Sequence, residues 1–193
     1  CETIYTASNA YINGLQDPND WKCSCKELIK GLPTNIKKNL LAIAVDGTSG
    51  TLLACDHEGH PLGNAIPYFI SFEKYRETIT SLIDKQGQAS GINNSLARAF
   101  HLIDKYGEDI LLRHQADWIV GWLLGDWSWG EEGNNIRLGW DLIKQQWPCS
   151  FAKKAWSKSL PSIIESGKII STICPKISSF FDLPKSVYLI SGT

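Results

Sequence analysis

The chain has 193 residues, 43% of them apolar and 20% charged, with a formal net charge of −1. That balance describes a globular chain able to bury roughly 70% of its unfolded surface without disulfide or metal staples. It gives no electrostatic footprint for nucleic acid or an anionic membrane, and no apolar stretch reaches the roughly 20 residues that span a bilayer.

Residues 2–7 predict a strand. Asp17, Asn19 and Asp20 are candidate N-caps for a helix that runs to about Lys30 and closes at Gly31-Leu32-Pro33. Within it Trp21, Cys25, Leu28 and Ile29 follow helical spacing, so Cys25 faces the core and Cys23 faces away. That separation argues against shared metal or redox chemistry. The six scattered cysteines fit a reducing compartment better than a disulfide framework. Two apolar runs follow, at 40–45 and 51–55, and the first reads as a strand buried on both faces. His57 to Pro61 is a turn, and Ile66 to Ile70 a short apolar run. Helices are predicted at 72–86, with Tyr75, Ile79, Leu82 and Ile83 on one face, at 94–106, with Leu96, Phe100 and Ile103, and at 114–124. Gly87 and Gly107 are stop signals. Residues 125–148 are rich in Trp, Gly and Asn and have no clear period. Helices near 150–158 and 175–182 and a strand at 186–190 complete the pattern. Strands alternating with helices point to an α/β fold.

Between the two apolar runs lies Asp46-Gly47-Thr48-Ser49-Gly50. The glycines let the backbone turn tightly and leave its N–H groups open to a ligand. Asp46, Thr48 and Ser49 fall at a strand end, where open α/β sheets place their ligands. The loop suits a ligand rich in hydroxyls or phosphate. It equally suits a plain turn between core strands, with Asp46 and Ser49 satisfying their own backbone.

Two further segments bear on that choice: Arg113-His114-Gln115-Ala116-Asp117-Trp118, continuing to Gly125, and Glu131-Glu132-Gly133-Asn134-Asn135, continuing to Asp141. With the Asp46–Gly50 loop, in this order and at these separations, the chain resembles the FGGY carbohydrate kinases of the actin-like ATPase superfamily. The nearest likeness is to the D-ribulokinase and xylulokinase branch, which carries a strand ending in Asp-Gly-Thr-Ser-Gly followed by His-Gln-Ala-Asp-Trp-type and Asp-x-x-Asn-Ala-type segments. Glu131 stands where the Asp of the third segment is common, while Asn134 keeps the pattern.

The resemblance implies an actin-like ATPase (ribonuclease H-like) α/β domain, a mixed sheet flanked by helices and incomplete at both ends. Residues 1–193 would form most of the family's N-terminal, sugar-side domain, without the first phosphate-loop hairpin and without the C-terminal ATP-binding domain. The implied activity is transfer of the ATP γ-phosphoryl group to a hydroxyl of a ketopentose such as D-ribulose or D-xylulose, with ATP and Mg2+ as cofactors of the whole enzyme. The expected substrate-binding residues are Asp46, Thr48, Ser49 and Asn94. Helix capping is the alternative role for Asn94, and local amide capping the alternative for Asp46. His114, Gln115, Asp117 and Trp118 are expected chiefly to pack the helix on the sheet. No catalytic residue is expected within the chain, because the family's Asp would fall beyond Thr193. The partner is a sugar, not nucleic acid or membrane, and the location cytoplasmic or plastid-stromal. The fragment is expected to be inactive alone. The competing expectations are a non-catalytic sugar-binding or regulatory module and a degenerate gene fragment.

Overall fold

A computed structural model describes residues 2–83 and 87–192. Its strands form three small sheets. In the first, β1 (Ala42–Ala44) runs parallel to β7 (Tyr188–Ile190), and β6 (Ile169–Thr172) lies antiparallel on the other side of β7. In the second, β2 (Leu52–Cys55) pairs antiparallel with β3 (Leu111–His114). In the third, β4 (Trp129–Glu131) runs parallel to β5 (Ser162–Ile164). The architecture is the expected mixed α/β one.

The two apolar runs around the glycine loop enter different sheets and do not pair with each other. The strand buried on both faces is β2, not β1. Leu53 and Cys55 join a core of Trp21, Trp118, Trp122 and Leu189, while Leu52 and Ala54 join another with Leu102, Leu112 and Leu138. β1 is one-sided: Leu40, Ile43 and Val45 pack on the first core, whereas Leu41 is 80% exposed and Ala44 faces outward. The strand predicted at 2–7 is absent. Those described residues are exposed, and none of the strands pairs with them, so their composition finds no hydrogen-bonded ladder. Tyr5 tethers the segment by donating to the Gly31 carbonyl at 3.3 Å.

Helix α1 (Pro18–Lys30) begins as its sequence specifies, with Asp17 accepting from the Asn19 N–H and proline in the first turn. Trp21 is fully buried, Cys25 packs against the same core and Cys23 is exposed. A short helix, α2 (Thr34–Lys38), follows. The helix predicted at 72–86 is a 3-10 turn at Glu73–Tyr75 running into α3 (Arg76–Leu82); positions 84–86 lie outside the described residues. α4 (Ser95–Tyr106) stops at Gly107 and α5 (Gln115–Leu124) at Gly125, both with positive φ. The irregular 125–148 segment holds β4, α6 (Glu132–Asn135) and a 3-10 turn, Ile136–Leu138. The helix predicted near 150–158 is a 3-10 stretch, Ala155–Ser159. α7 (Pro175–Phe181) and β7 fall within their predicted spans, and Thr193, like Cys1, lies outside the described residues. Among the described residues no helix is long and apolar enough to cross a membrane.

Burial in β2 pushes the Cys55 thiol up to about 12, with the nearby Arg113 opposing the shift and Asp56 adding to it. A raised folded-state value means that the unfolded chain loses this proton first. The contribution to stability is complete below about pH 9 and is lost as pH rises towards 12, at up to about 1.4 kcal/mol per pH unit. Thiol labelling of the native protein at pH 8 is expected to modify the exposed Cys23 and Cys149 while Cys55 resists until denaturant is added. Labelling of Cys55 at the rate of Cys23 would contradict that burial.

Candidate functional site

The Asp46–Gly50 loop leaves the C-terminal end of β1 beside the end of β7. A Cβ on Gly192 would lie 1.9 Å from the Val45 carbonyl oxygen, so only glycine allows the two strand ends to converge. The loop then crosses the start of α5. A Cβ on Gly47 would lie 3.0 Å from the Ala116 backbone nitrogen.

Gln115 latches the loop there. Its Oε1 accepts from both the N–H and the hydroxyl of Thr48, at 2.8 and 2.7 Å, and its own N–H donates to the Thr51 carbonyl at 3.3 Å. The Tyr11 hydroxyl lies 3.5 Å from Gln115 Nε2, and burial is the main cause of its raised pKa. Asp46 is exposed and accepts from the adjacent Gly47 N–H at 2.8 Å. Ser49 is exposed at the loop tip.

The far end of the loop meets the start of α4. His114 Nε2 lies 2.9 Å from Ser95 Oγ, which is 3.5 Å from the Gly50 carbonyl. Asn94 holds the N-cap position of α4 but does not cap it; its side-chain amide donates to the Gln88 carbonyl at 2.8 Å. Gly50, with φ of +84°, is surrounded by Tyr68, Arg137 and Arg98. A Cβ placed on it would lie 3.5–3.6 Å from atoms of all three side chains. Arg98 is fully buried and donates to the carbonyls of Pro67, Tyr68 and Asn93.

Behind the loop a narrow cleft is lined by Val45, Asp117, Glu131, Asn134, Ser191 and Gly192. Asp117 accepts from the Glu131 N–H and from Asn135 Nδ2. Glu131 is the N-cap of α6, accepting from the N–H groups of Gly133 and Asn134 at 2.7 Å each. A carboxylate at this position therefore serves the backbone. Trp118 is core, as expected, with its indole N–H on the Gly59 carbonyl at 3.0 Å.

The structure thus gathers Thr48 with Gln115, and Gly50 with residues at the start of α4, while Asn94 is engaged away from the loop. Gln115, Tyr68, Arg98 and Arg137 were not among the predicted site residues. The signal for Gln115 was its place at a predicted helix start within the second family-like segment; the three others carry none that separates them from surface or core.

No family model matches the chain. Solved structures do. The chain superposes on a xyloylose kinase from Brucella ovis with a TM-score of 0.77 at 15% identity, over 92% of this chain and 40% of that one. A ligand-bound xylulose kinase from Lactobacillus acidophilus gives 0.74 at 14% identity, and a gluconate kinase from the same organism 0.74 at 16%. Each covers 98% of this chain and 41% of the other. The chain spans about two-fifths of the length of these proteins. Over that span it has the α/β fold of the FGGY-type carbohydrate kinases, the actin-like ATPase fold.

Proposed function

We propose that the chain is the sugar-side part of an ATP-dependent carbohydrate kinase. The whole enzyme would transfer a phosphoryl group to a hydroxyl of a ketopentose or related sugar, of D-ribulose or D-xylulose type. The observation that carries this reading is the Gln115–Thr48 latch. It fixes a hydroxyl- and carboxylate-bearing loop at the shared end of two parallel strands, the position at which open α/β sheets receive ligands. The three sequence segments in family order and the shared fold support it. In this reading Ser49 offers its hydroxyl to the sugar, Asp46 and Thr48 shape the loop, Tyr68 walls it, and Asn94 stands at the adjoining helix start.

ATP and magnesium belong to the proposed whole enzyme, and the one acidic and histidine cluster found among the described residues is already engaged within itself. Phosphoryl transfer needs donors cradling the phosphates and carboxylates on the metal. Among the described residues, the acidic and histidine groups close enough to share an ion are Asp56, Glu58 and His60, on the turn after β2. The Asp56 carboxylate there is already engaged by the N–H groups of Glu58 and His60 and by the His60 ring. In this reading the general base is a part that the whole enzyme supplies, and lacking one costs roughly 10²–10⁴ in rate.

Purified 1–193 is expected to bind D-ribulose or D-xylulose in the micromolar-to-millimolar range by calorimetry, without nucleotide, and to phosphorylate neither sugar with Mg-ATP. Ser49→Ala removes one neutral hydrogen bond and is expected to weaken binding about 3- to 10-fold. Gln115→Ala releases the loop and is expected to weaken it by about tenfold or more. Turnover comparable to that of an intact sugar kinase would overturn the inactive assignment. A folded protein that binds neither sugar would overturn the sugar-side assignment.

A further inference from the structure

Two arginines are fully buried, and their surroundings differ. Arg113 has Asp117 and Asp126 as neighbouring negative charges. Among the described residues Arg98 has none: its charged neighbour is Arg137, and burial together with that like charge pulls its guanidinium down to about 10. Nε and Nη2 of Arg98 are satisfied by backbone carbonyls, but Nη1 has no hydrogen-bond partner among the described residues. Neither Arg98 nor Arg137 forms an ion pair among those residues.

A buried cation without a counter-charge is costly, and its unpaired donor adds to that cost. Nη1 stands 3.6 Å from the space a Gly50 Cβ would fill, and the Arg137 side chain borders the same space at 3.6 Å. Arg137 is exposed. The twelve-residue helix α4 starts beside it, with no side chain capping its first turn, so its positive end adds to the field.

We propose that Gly50, Arg98 and Arg137 form an oxyanion subsite at one end of the sugar loop. The group it takes is a carboxylate or phosphate carried by a small polyhydroxylated ligand. Arg137 supplies the accessible charge and Arg98 the buried one, and Gly50, bare of a Cβ, leaves a methyl-sized space between them that one anionic oxygen could enter. The inference rests on reading Asp46–Gly50 as the sugar-side loop, and it adds acid or phosphate derivatives of such sugars to the neutral ketoses which that loop would hold.

The test compares D-gluconate, D-ribose 5-phosphate and inorganic phosphate with neutral D-glucitol, by calorimetry on 1–193 in 50 and 300 mM NaCl. The organic anions are expected to bind at least tenfold more tightly than D-glucitol, with the preference shrinking at the higher salt. Arg137→Ala is expected to cost about tenfold in anion affinity and to leave D-glucitol binding unchanged. Arg98→Met risks the fold, so Arg98→Lys, which keeps a charge but loses the fork of donors, is the informative partner; it too should weaken the anions. The two organic anions distinguish a carboxylate ligand from a phosphate one. Equal binding of D-gluconate and D-glucitol, or anion binding indifferent to Arg137→Ala, overturns the subsite while leaving the sugar-loop reading intact. Anion binding that needs Arg137 but ignores Ser49→Ala and the polyol chain, so that inorganic phosphate matches D-gluconate, keeps the subsite and removes the sugar-loop reading.

Discussion

Gly121→Ala is expected to destabilise the protein by about 2–3 kcal/mol, although alanine at an ordinary helix interior would stabilise it by up to about 1 kcal/mol. The reason is the Trp127 indole, wedged between α5 and the turn after β2. A Cβ on Gly121 would lie 2.3 Å from Trp127 Cδ1, and one on Gly59 2.2 Å from Cε2, so the ring is held between two bare backbones. Its N–H donates to the Trp118 carbonyl at 3.1 Å, which fixes the ring in that slot. Moving it would disturb the Trp118–Gly59 bond at the same time. For a chain of this length the loss corresponds to a fall of roughly 5–10 °C in Tm. A double-mutant cycle separates collision from other causes. Trp127→Ala is itself destabilising, but in its background Gly121→Ala should become neutral or stabilising. Gly59→Ala should retain a penalty of about 1–2 kcal/mol even there, because φ at Gly59 is +78°. An unchanged Tm for Gly121→Ala, or the same loss in both backgrounds, would show that the ring is not clamped as described.

What the sequence made legible follows the reach of the interactions involved. α1 and α4 were readable because their signals are local, Asp17 at the start of one and Gly107 at the end of the other, and α5 through its run of apolar residues. β3, β5 and β6 were not, because three or four residues carry too little periodicity and their partners are distant in sequence. β1 was misjudged for a related reason. A continuous apolar run signals burial on both faces only if both faces find a layer, and Leu41 and Ala44 find none. The loop at 46–50 was visible from residue types alone, whereas its latch was not. Gln115 lies 67 residues from Thr48, and a glutamine at a helix start reads as packing or capping. Arg98 was the least legible. An arginine in the first turn of an amphipathic helix normally marks a solvated face, and its burial depends on carbonyls at Pro67 and Tyr68, some 30 residues away. Asn94 shows the converse failure, where a sound local rule loses to a single competing acceptor, the Gln88 carbonyl.

The other buried arginine sets the largest expected loss. Arg113, in β3, donates from Nε to the Trp127 carbonyl and from Nη1 to the carbonyls of Leu112 and Ser159, the latter two at 2.7 and 2.9 Å. One side chain thereby ties β3 to the Trp127 segment and to the 3-10 stretch at Ala155–Ser159. Arg113→Met conserves most of the volume but leaves these acceptors without their donor and removes a positive neighbour from Asp117 and Asp126. Each orphaned buried acceptor costs about 1–3 kcal/mol, so the three together set a loss on the order of 3–5 kcal/mol. That is a large share of the roughly 5–15 kcal/mol available to a domain. Arg113→Lys is expected to recover only part of it, because an ammonium cannot match the planar fork that reaches three carbonyls. The measurement is the urea midpoint of each variant at unchanged m. The consequence for the site follows from chain connectivity. β3 ends at His114 and α5 begins at Gln115, so loosening β3 shifts the residue that holds Thr48. Arg113→Lys, if it folds, should therefore weaken sugar binding as Gln115→Ala does, although Arg113 lies away from the loop. Midpoints for Arg113→Met within about 1 kcal/mol of the parent would mean that the carbonyls find other donors and that β3 does not depend on this side chain.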